Sequence, residues 1–121
     1  MIITTMLLSV VVMHSCTHQS QVPLQPVSFN RDIMPILQTS CALNGSCHLG
    51  ANNGNAHINF DSTAAYATIF EKQLVSTGNP TASLLYVEIS TGIMPKAPYS
   101  TLSPAQISTI LNWIKQGAIN N

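Results

Sequence analysis

Charged side chains are scarce in this chain of 121 residues. It has four Lys and Arg residues against four Asp and Glu residues, so its formal net charge is zero, and only 7% of its residues are charged. An ordinary soluble domain has about 25%. A neutral chain has no basic face to hold phosphate groups, which excludes nucleic acid as an expected partner. The surface must instead be solvated by Asn, Gln, Ser and Thr, a composition that suits a protein outside the cytoplasm.

Long apolar runs are also lacking. The apolar run in residues 1–15 covers about a dozen positions, which is too short for a transmembrane helix and fits the core of a signal peptide. It ends at Ser15-Cys16. A small residue before a cysteine at this point resembles the lipobox of bacterial lipoproteins, and that resemblance implies cleavage before Cys16 and a lipid on its sulfur. An ordinary secretory signal is the alternative, and either one exports the chain to the periplasm or the cell surface.

The rest of the sequence divides into a tether and one domain. Residues 16–27 contain Pro23 and Pro26 and offer little to bury, which is typical of an extended spacer. Residues 28–121 form the expected domain, without an internal repeat. The tether would connect this domain to the lipid at Cys16, and through it to a membrane.

Residues 28–121 are predicted to be all-α, because helical spacing recurs and no stretch alternates as a strand does. A first helix is expected over about residues 29–40, with a kink or a late start caused by Pro35. A second follows Asp61-Ser62, and a third opens at Asn79-Pro80, where a cap precedes a proline.

The fourth helix has the clearest boundaries in the sequence. Ser103 is the predicted cap, Pro104 takes the first position, and Gln106 completes a capping box. Gly117 is the predicted stop. One apolar stripe is expected along this helix, consisting of Ile107, Ile110, Leu111, Ile114 and Ala118.

The residues with the most distinctive chemistry are Cys41, Cys47, His48 and Met94. The usual spacing for haem attachment is Cys-x-x-Cys-His, whereas five residues separate the two cysteines here. A disulfide between Cys41 and Cys47 is an alternative in an exported protein. A copper site is another, because Cys, His and Met all suit copper, although blue-copper sites lie on β-sandwiches and this chain is predicted to be helical.

The chain resembles a class of bacterial cytochrome c domains over nearly all of residues 28–121. The resemblance depends on the order and spacing of short motifs. These are Ser28-Phe29-Asn30-Arg31-Asp32-Ile33-Met34-Pro35-Ile36-Leu37, Cys41, Cys47-His48, Gly78-Asn79-Pro80, Ser83-Leu84-Leu85-Tyr86, Met94-Pro95, Leu102-Ser103, Ile107, Ile110, Trp113-Ile114 and Gly117-Ala118.

This resemblance implies a small bundle of about four helices around one covalently bound haem. Cys41 and Cys47 would form thioethers with the haem vinyl groups. His48 would be the proximal iron ligand and Met94 the distal one. A methionine opposite a histidine raises the reduction potential of the haem iron. The implied function is one-electron transfer with transient redox protein partners, and not enzymatic catalysis. Met34 and His57 are second choices for the distal ligand.

The resemblance also implies several geometric features. The three additional residues between the cysteines must bulge outwards if both sulfurs and His48 are to face one porphyrin. The first and last helices are expected to cross, with Ile33 and Leu37 against Ile110 and Ile114. Trp113 lies beside the stripe, so we expect it at a haem edge rather than in that crossing. Arg31 or Lys96 could pair with a haem propionate. Tyr66, Tyr86 and Tyr99 are expected to be packing residues, and one of their hydroxyls could reach a propionate.

Overall fold

The computed structural model describes residues 25–43, 47–50 and 57–121. Secondary structure in these ranges is helical without a strand, which confirms the all-α prediction. The predicted signal peptide, Cys16 and most of the predicted tether lie outside the described residues. No helix within the described ranges is long and apolar enough to cross a membrane. The elements are π1 (Phe29–Ile33), α1 (Met34–Ser40), α2 (Ala65–Glu71), a 3₁₀ turn (Pro80–Ala82), α3 (Leu84–Ser90) and α4 (Pro104–Lys115).

The first predicted helix is a wide π turn followed by a regular α-helix. At its start the Ser28 hydroxyl accepts a hydrogen bond from the Arg31 N–H (3.3 Å), and the Asp32 carboxylate accepts one from the Ser28 N–H (2.8 Å). α1 then begins at Met34 with Pro35 in its first turn. A proline there removes an N–H that would have no partner within the helix, so it is tolerated. The late helical start predicted from Pro35 is confirmed.

The third helix does not begin where the sequence predicts. Asn79 makes no side-chain cap, and Pro80 opens only a short 3₁₀ turn. Ser83 then leaves the helical conformation, with φ −58° and ψ 128°, and α3 begins at Leu84. The Ser83 side chain is buried, and its hydroxyl accepts a 2.9 Å hydrogen bond from the Ser76 N–H. This bond draws Ser83 towards the preceding loop and separates the two helical segments.

The fourth helix has the predicted boundaries. The Ser103 hydroxyl accepts a hydrogen bond from the Gln106 N–H (3.3 Å), and the Gln106 side chain accepts one from the Ser103 N–H (2.9 Å), which completes the capping box. The helix ends at Lys115, and Gly117 follows with φ +97°. A left-handed residue just after a helix is most easily a glycine, which accounts for the stop.

The core forms where π1 packs on α4. Ile33, Leu37, Ile110 and Ile114 are all buried in one hydrophobic cluster, as predicted for the crossing. The Trp113 prediction is wrong. Its indole is fully buried, lies 5.4 Å from the Phe29 ring between centroids, and lines neither cavity described below. The π turn brings Phe29 over the side of α4 that carries Trp113, so the indole fills the crossing.

The two ends of the described domain are joined by polar contacts. The Asn121 main-chain oxygen accepts hydrogen bonds from the Ser28 hydroxyl (2.7 Å) and the Asn30 N–H (3.0 Å). The Gln116 side-chain oxygen accepts another from the Val27 N–H (2.8 Å). These bonds fix the start of π1 next to the end of α4. Because α1 continues directly from π1, they also help to fix the direction in which α1 runs towards Cys41.

Candidate functional site

Two adjoining cavities form a cleft at the end of α1. Each has a volume of about 230 Å³, and Cys41, His48 and Met94 line both of them. Together the two cavities fall in the range of about 300–1,000 Å³ that is common for cofactor sites. The first cavity, which we call the polar cavity, is also lined by Ser40, Cys47, Pro95, Lys96 and Tyr99. The second, the apolar cavity, is also lined by Ile58, Phe60, Leu74, Leu84, Leu85, Glu88 and Ile89.

Main-chain hydrogen bonds hold Cys41 and His48 together despite their separation in sequence. The Cys41 N–H donates to the Leu37 carbonyl at 2.9 Å, which continues the hydrogen bonding of α1. The His48 N–H then donates to the Cys41 carbonyl at 2.9 Å, and the His48 carbonyl accepts from the Phe60 N–H at 2.7 Å. The bond between His48 and Cys41 therefore joins the two ends of the segment 41–48. Residues 44–46, the predicted bulge, lie outside the described residues.

The His48 imidazole is suited to bind a metal as a neutral ligand. It packs against the Phe60 ring, with centroids 5.4 Å apart. Burial lowers the pKa of His48, and a hydrogen bond with the main chain of Ile58 acts weakly in the opposite direction. Its Nδ1 atom is buried and has no hydrogen-bond partner in the described part of the chain. Leaving such an atom unsatisfied costs about 1–3 kcal/mol, so the ring has capacity for a further partner.

The two cysteine sulfurs are not bonded to each other in the described structure. Burial raises the pKa of the Cys41 thiol to about 12, and the nearby Cys47 adds to this increase. At neutral pH Cys41 is therefore a protonated thiol in apolar surroundings. Burial disfavours the charged form of such a sulfur, because that form loses its solvation.

Met94 reaches the cleft from the loop that follows α3. The helix ends at Ser90, and Gly92 takes φ +74°, a conformation that turns the chain back towards the helix. The Met94 N–H donates to the Glu88 carbonyl at 3.0 Å. The methionine is thus held close to α3, on a different segment from His48, while both side chains line the same two cavities.

The second-choice ligands do not line the cleft. Met34 is only 7% exposed and belongs to the core of π1, α1 and α4. His57 is exposed and lines neither cavity. Among the ligands considered from the sequence, the cleft therefore collects Cys41, Cys47, His48 and Met94.

The apolar cavity contains residues that the sequence reasoning did not assign to a site. Leu85 and Ile89 lie one helical turn apart on α3, and Leu84 and Glu88 form a parallel row. That spacing in the sequence indicates an apolar helix face, but not what the face would cover. Phe60 and Leu74 come from loops, where periodicity carries no information.

The cleft does not present a ready-made cluster of His, Cys, Asp and Glu ligands within the described part of the chain. Among the described residues, no three His, Cys, Asp or Glu side chains gather closely enough to hold one. Protein copper and zinc sites ordinarily use three or four such ligands. A porphyrin differs because its own nitrogens fill the equatorial positions, so the protein supplies only two axial ligands. An imidazole and a thioether lining one largely apolar cleft fit that requirement.

Comparison of the chain with protein-family models, with curated proteins and with solved structures found no match.

Proposed function

We propose that residues 28–121 form a c-type cytochrome domain that transfers single electrons. In this proposal Cys41 and Cys47 bind the haem covalently, and His48 and Met94 are its axial ligands. The observation that carries the proposal is that these four side chains, from two separate segments, line one cleft. A haem bound there supplies one-electron chemistry, its iron alternating between the ferrous and ferric states.

The state of His48 supports its assigned role. An imidazole binds iron only when a ring nitrogen is unprotonated, and burial in the cleft lowers the pKa of His48. Main-chain hydrogen bonds through the His48 N–H and carbonyl orient the residue from both sides. The main chain of the residue is therefore fixed, while its ring lines the cleft.

The buried, protonated state of Cys41 is compatible with a thioether. Thioether formation adds the thiol S–H across a vinyl C=C bond, so one C–S bond and one C–H bond form and no oxidant is needed. The product carries no ionisable proton and suits an apolar site.

The rim of the cleft is consistent with transient docking of a redox protein. Leu84 is 49% exposed, and Tyr99 38%. Ile93, next to Met94, is 53% exposed. Weak electron-transfer complexes commonly use small interfaces, and a chain without net charge has little basis for charge-driven docking.

The proposed setting is outside the cytoplasm, with a lipid on Cys16 holding the domain to a bacterial membrane. Covalent haem attachment and lipidation are compatible because they use different cysteines. The chain has three, and the cleft uses Cys41 and Cys47. The tether of residues 16–27 would then leave the cleft accessible to partners.

The proposal is tested by the absorption spectrum of the exported protein, expressed in full with a cytochrome c maturation system. Haem that resists acid-acetone extraction and yields a pyridine haemochrome spectrum is the expected result. Haem-free protein with Cys41 and Cys47 joined as a disulfide would overturn the proposal and favour a non-redox exported module.

The distal ligand is tested by a matched pair of methionine variants. Met94→Leu should abolish the weak near-infrared band of a sulfur–iron bond, because leucine fills similar space without a sulfur. Met34→Leu is the control, since Met34 belongs to the core and should leave the band in place. Persistence of the band in Met94→Leu would refute the role of Met94.

A further inference from the structure

The exposed apolar side chains of the described residues gather at the mouth of the cleft. Six large apolar side chains are exposed in these ranges. Four of them either line one of the two cavities or adjoin His48 or Met94 in the chain: Leu49, Leu84, Ile93 and Tyr99. These four side chains form the rim of the cleft. A group of exposed apolar side chains, unlike single ones, commonly indicates a binding surface.

Two charges of opposite sign lie beside the rim. Lys96 lines the polar cavity, and Glu88 lines the apolar cavity. The ion pair found in the described residues joins Arg31, which lines neither cavity, to Asp32 at 2.7 Å. Lys96 and Glu88 therefore have no ionic partner there, and they are not paired with each other. Each of the two charges remains available to a molecule that covers the rim.

This arrangement of charges is complementary to itself. In a symmetric dimer the same surface of both copies forms the interface, so each contact between two different residues occurs twice. When two copies are related by a twofold axis through the rim, Lys96 of each copy can face Glu88 of the other, with the apolar side chains between them. The chain also has no net charge, so the approach of a second copy is not opposed at long range.

We propose that the rim is a docking surface for a second copy of this chain, and that the two copies form a weak dimer oriented by two ion pairs between Lys96 and Glu88. Apolar contact between the rims supplies the attraction, while the charges select the orientation. A contact of this size is typical of transient complexes rather than of permanent dimers. One consequence rests on the proposed function. An electron passes from the ferrous iron of one copy to the ferric iron of the other, and no further reactant is needed.

The tether joins the domain at a distance from the rim. π1 and α1 follow each other without a break from Phe29 to Ser40, a length of roughly 15–20 Å. The cleft lies at the end of this segment, whereas the Val27 N–H is bonded to the Gln116 side chain at its beginning. A tether that leaves the domain there does not cover the rim, so two copies held to one membrane can still meet rim to rim.

The test is a series of charge reversals in the full exported chain, kept in the same detergent throughout. Sedimentation velocity measures self-association, and NMR of mixed ferrous and ferric protein measures the rate of electron self-exchange. Lys96→Glu should weaken self-association by about fivefold or more and slow the exchange, because two pairs of opposite charge become two contacts between like charges. Lys115→Glu is the matched control, since it changes the net charge equally at an exposed position that lines neither cavity.

Two double variants separate the ion pair from the net charge. Lys96→Glu combined with Glu88→Lys exchanges the two charges and should restore self-association to within about twofold of the wild type. Lys96→Glu combined with Glu71→Lys has the same net charge but restores no pair, because Glu71 is exposed on α2 and lines neither cavity. Its self-association should stay as weak as that of Lys96→Glu alone.

The possible failures are distinguishable. A wild-type chain that stays monomeric up to about 1 mM overturns the dimer and leaves the proposed function intact. Equal self-association of the two double variants overturns the pairing of Lys96 with Glu88. A chain without haem contradicts the proposed function, while sedimentation still tests the dimer. Glu88 is half-buried. If its reversal prevents folding, Lys96→Glu and Lys115→Glu decide, and equal self-association of these two variants overturns the inference.

Discussion

Replacing Trp113 by Phe separates two accounts of how this domain is built. In the structure the indole fills the crossing between π1 and α4 and does not line the cleft. The substitution should therefore destabilise the fold and leave the haem spectrum unchanged. If Trp113 instead covered a haem edge, the spectrum would change with little loss of stability.

The expected loss follows from two contributions. The indole N–H donates a 3.0 Å hydrogen bond to the Ile119 carbonyl. Because Ile119 is exposed, water can replace the donor at that carbonyl, and the loss is about 0.5–1.5 kcal/mol. The smaller ring also leaves a partial void beside Phe29, which costs about 1–2 kcal/mol. The sum is about 1.5–3.5 kcal/mol, which should lower Tm by at least about 6 °C in a domain of this size.

The assay is thermal and denaturant unfolding of the haem-loaded protein, with Tyr66→Phe as a matched control. Tyr66 also contacts Phe29, with ring centroids 5.1 Å apart, and its hydroxyl donates a 3.0 Å hydrogen bond to the Ala118 carbonyl. This control loses one hydrogen bond and keeps its ring, so it should cost about 0.5–1.5 kcal/mol. A Trp113→Phe variant no less stable than Tyr66→Phe, or one with an altered Soret band, would refute the reasoning.

Three further predictions concern α4, π1 and the surface. Ser103→Ala should lower the free energy of unfolding by about 1 kcal/mol, because it removes the cap of α4. As a control, Ser108→Ala at an exposed position should change the free energy of unfolding by less than about 0.5 kcal/mol. Equal effects of the two substitutions in urea unfolding would contradict the capping role. Hydrogen bonds lower the pKa of the Asp32 carboxyl group; the one from the Arg31 side chain has the larger effect and the one from the Ser28 N–H the smaller. The stabilising effect of Asp32 is therefore fully present above the pKa of the unfolded state, and it is lost as pH falls through the lowered pKa of the folded state. Asp32→Asn should therefore lower Tm at neutral pH, and the difference should shrink as pH falls through the lowered pKa; a constant difference would argue against this linkage. Finally, electron-transfer rates to a redox partner should change less than about twofold between low and physiological ionic strength, since the chain has no net charge; a steep decrease with salt would contradict apolar docking.

The features that the sequence predicted most reliably depend on local chemistry. The capping box of Ser103 and Gln106 needs only residues three positions apart. The late start of α1 follows from the missing N–H and fixed φ of Pro35. The apolar stripe of α4 correctly predicts that Ile110 and Ile114 are buried, because the helical period is known in advance, but Ile107 and Leu111 of the same stripe are only half-buried.

The predictions from sequence were wrong where contacts between residues distant in the chain determine the structure. Ser83 ends the 3₁₀ turn because its hydroxyl bonds to the main chain of Ser76, a contact that helix propensity does not contain. Trp113 is buried because the π turn brings Phe29 over it. Helical spacing alone places Trp113 beside the stripe, and it does not reveal the partner that covers that side.

The candidate site was predictable from the sequence in part. The order of the cysteines, His48 and Met94 predicted which residues would meet, and the structure brings them to one cleft. The apolar lining could not be predicted, because Phe60 and Leu74 reach the cleft through loop contacts of long range. The roles of His48 and Met94 as haem ligands, and of Phe60 and Leu74 as lining residues, remain predictions that the experiments above address.

Tandem mass spectrometry of the proteolytic peptide that spans Cys41 to His48, taken from the exported protein, tests the central claim most directly. We predict that this peptide carries one haem, with thioether bonds at both Cys41 and Cys47. A peptide without haem, whose two cysteines are joined to each other, would contradict the account.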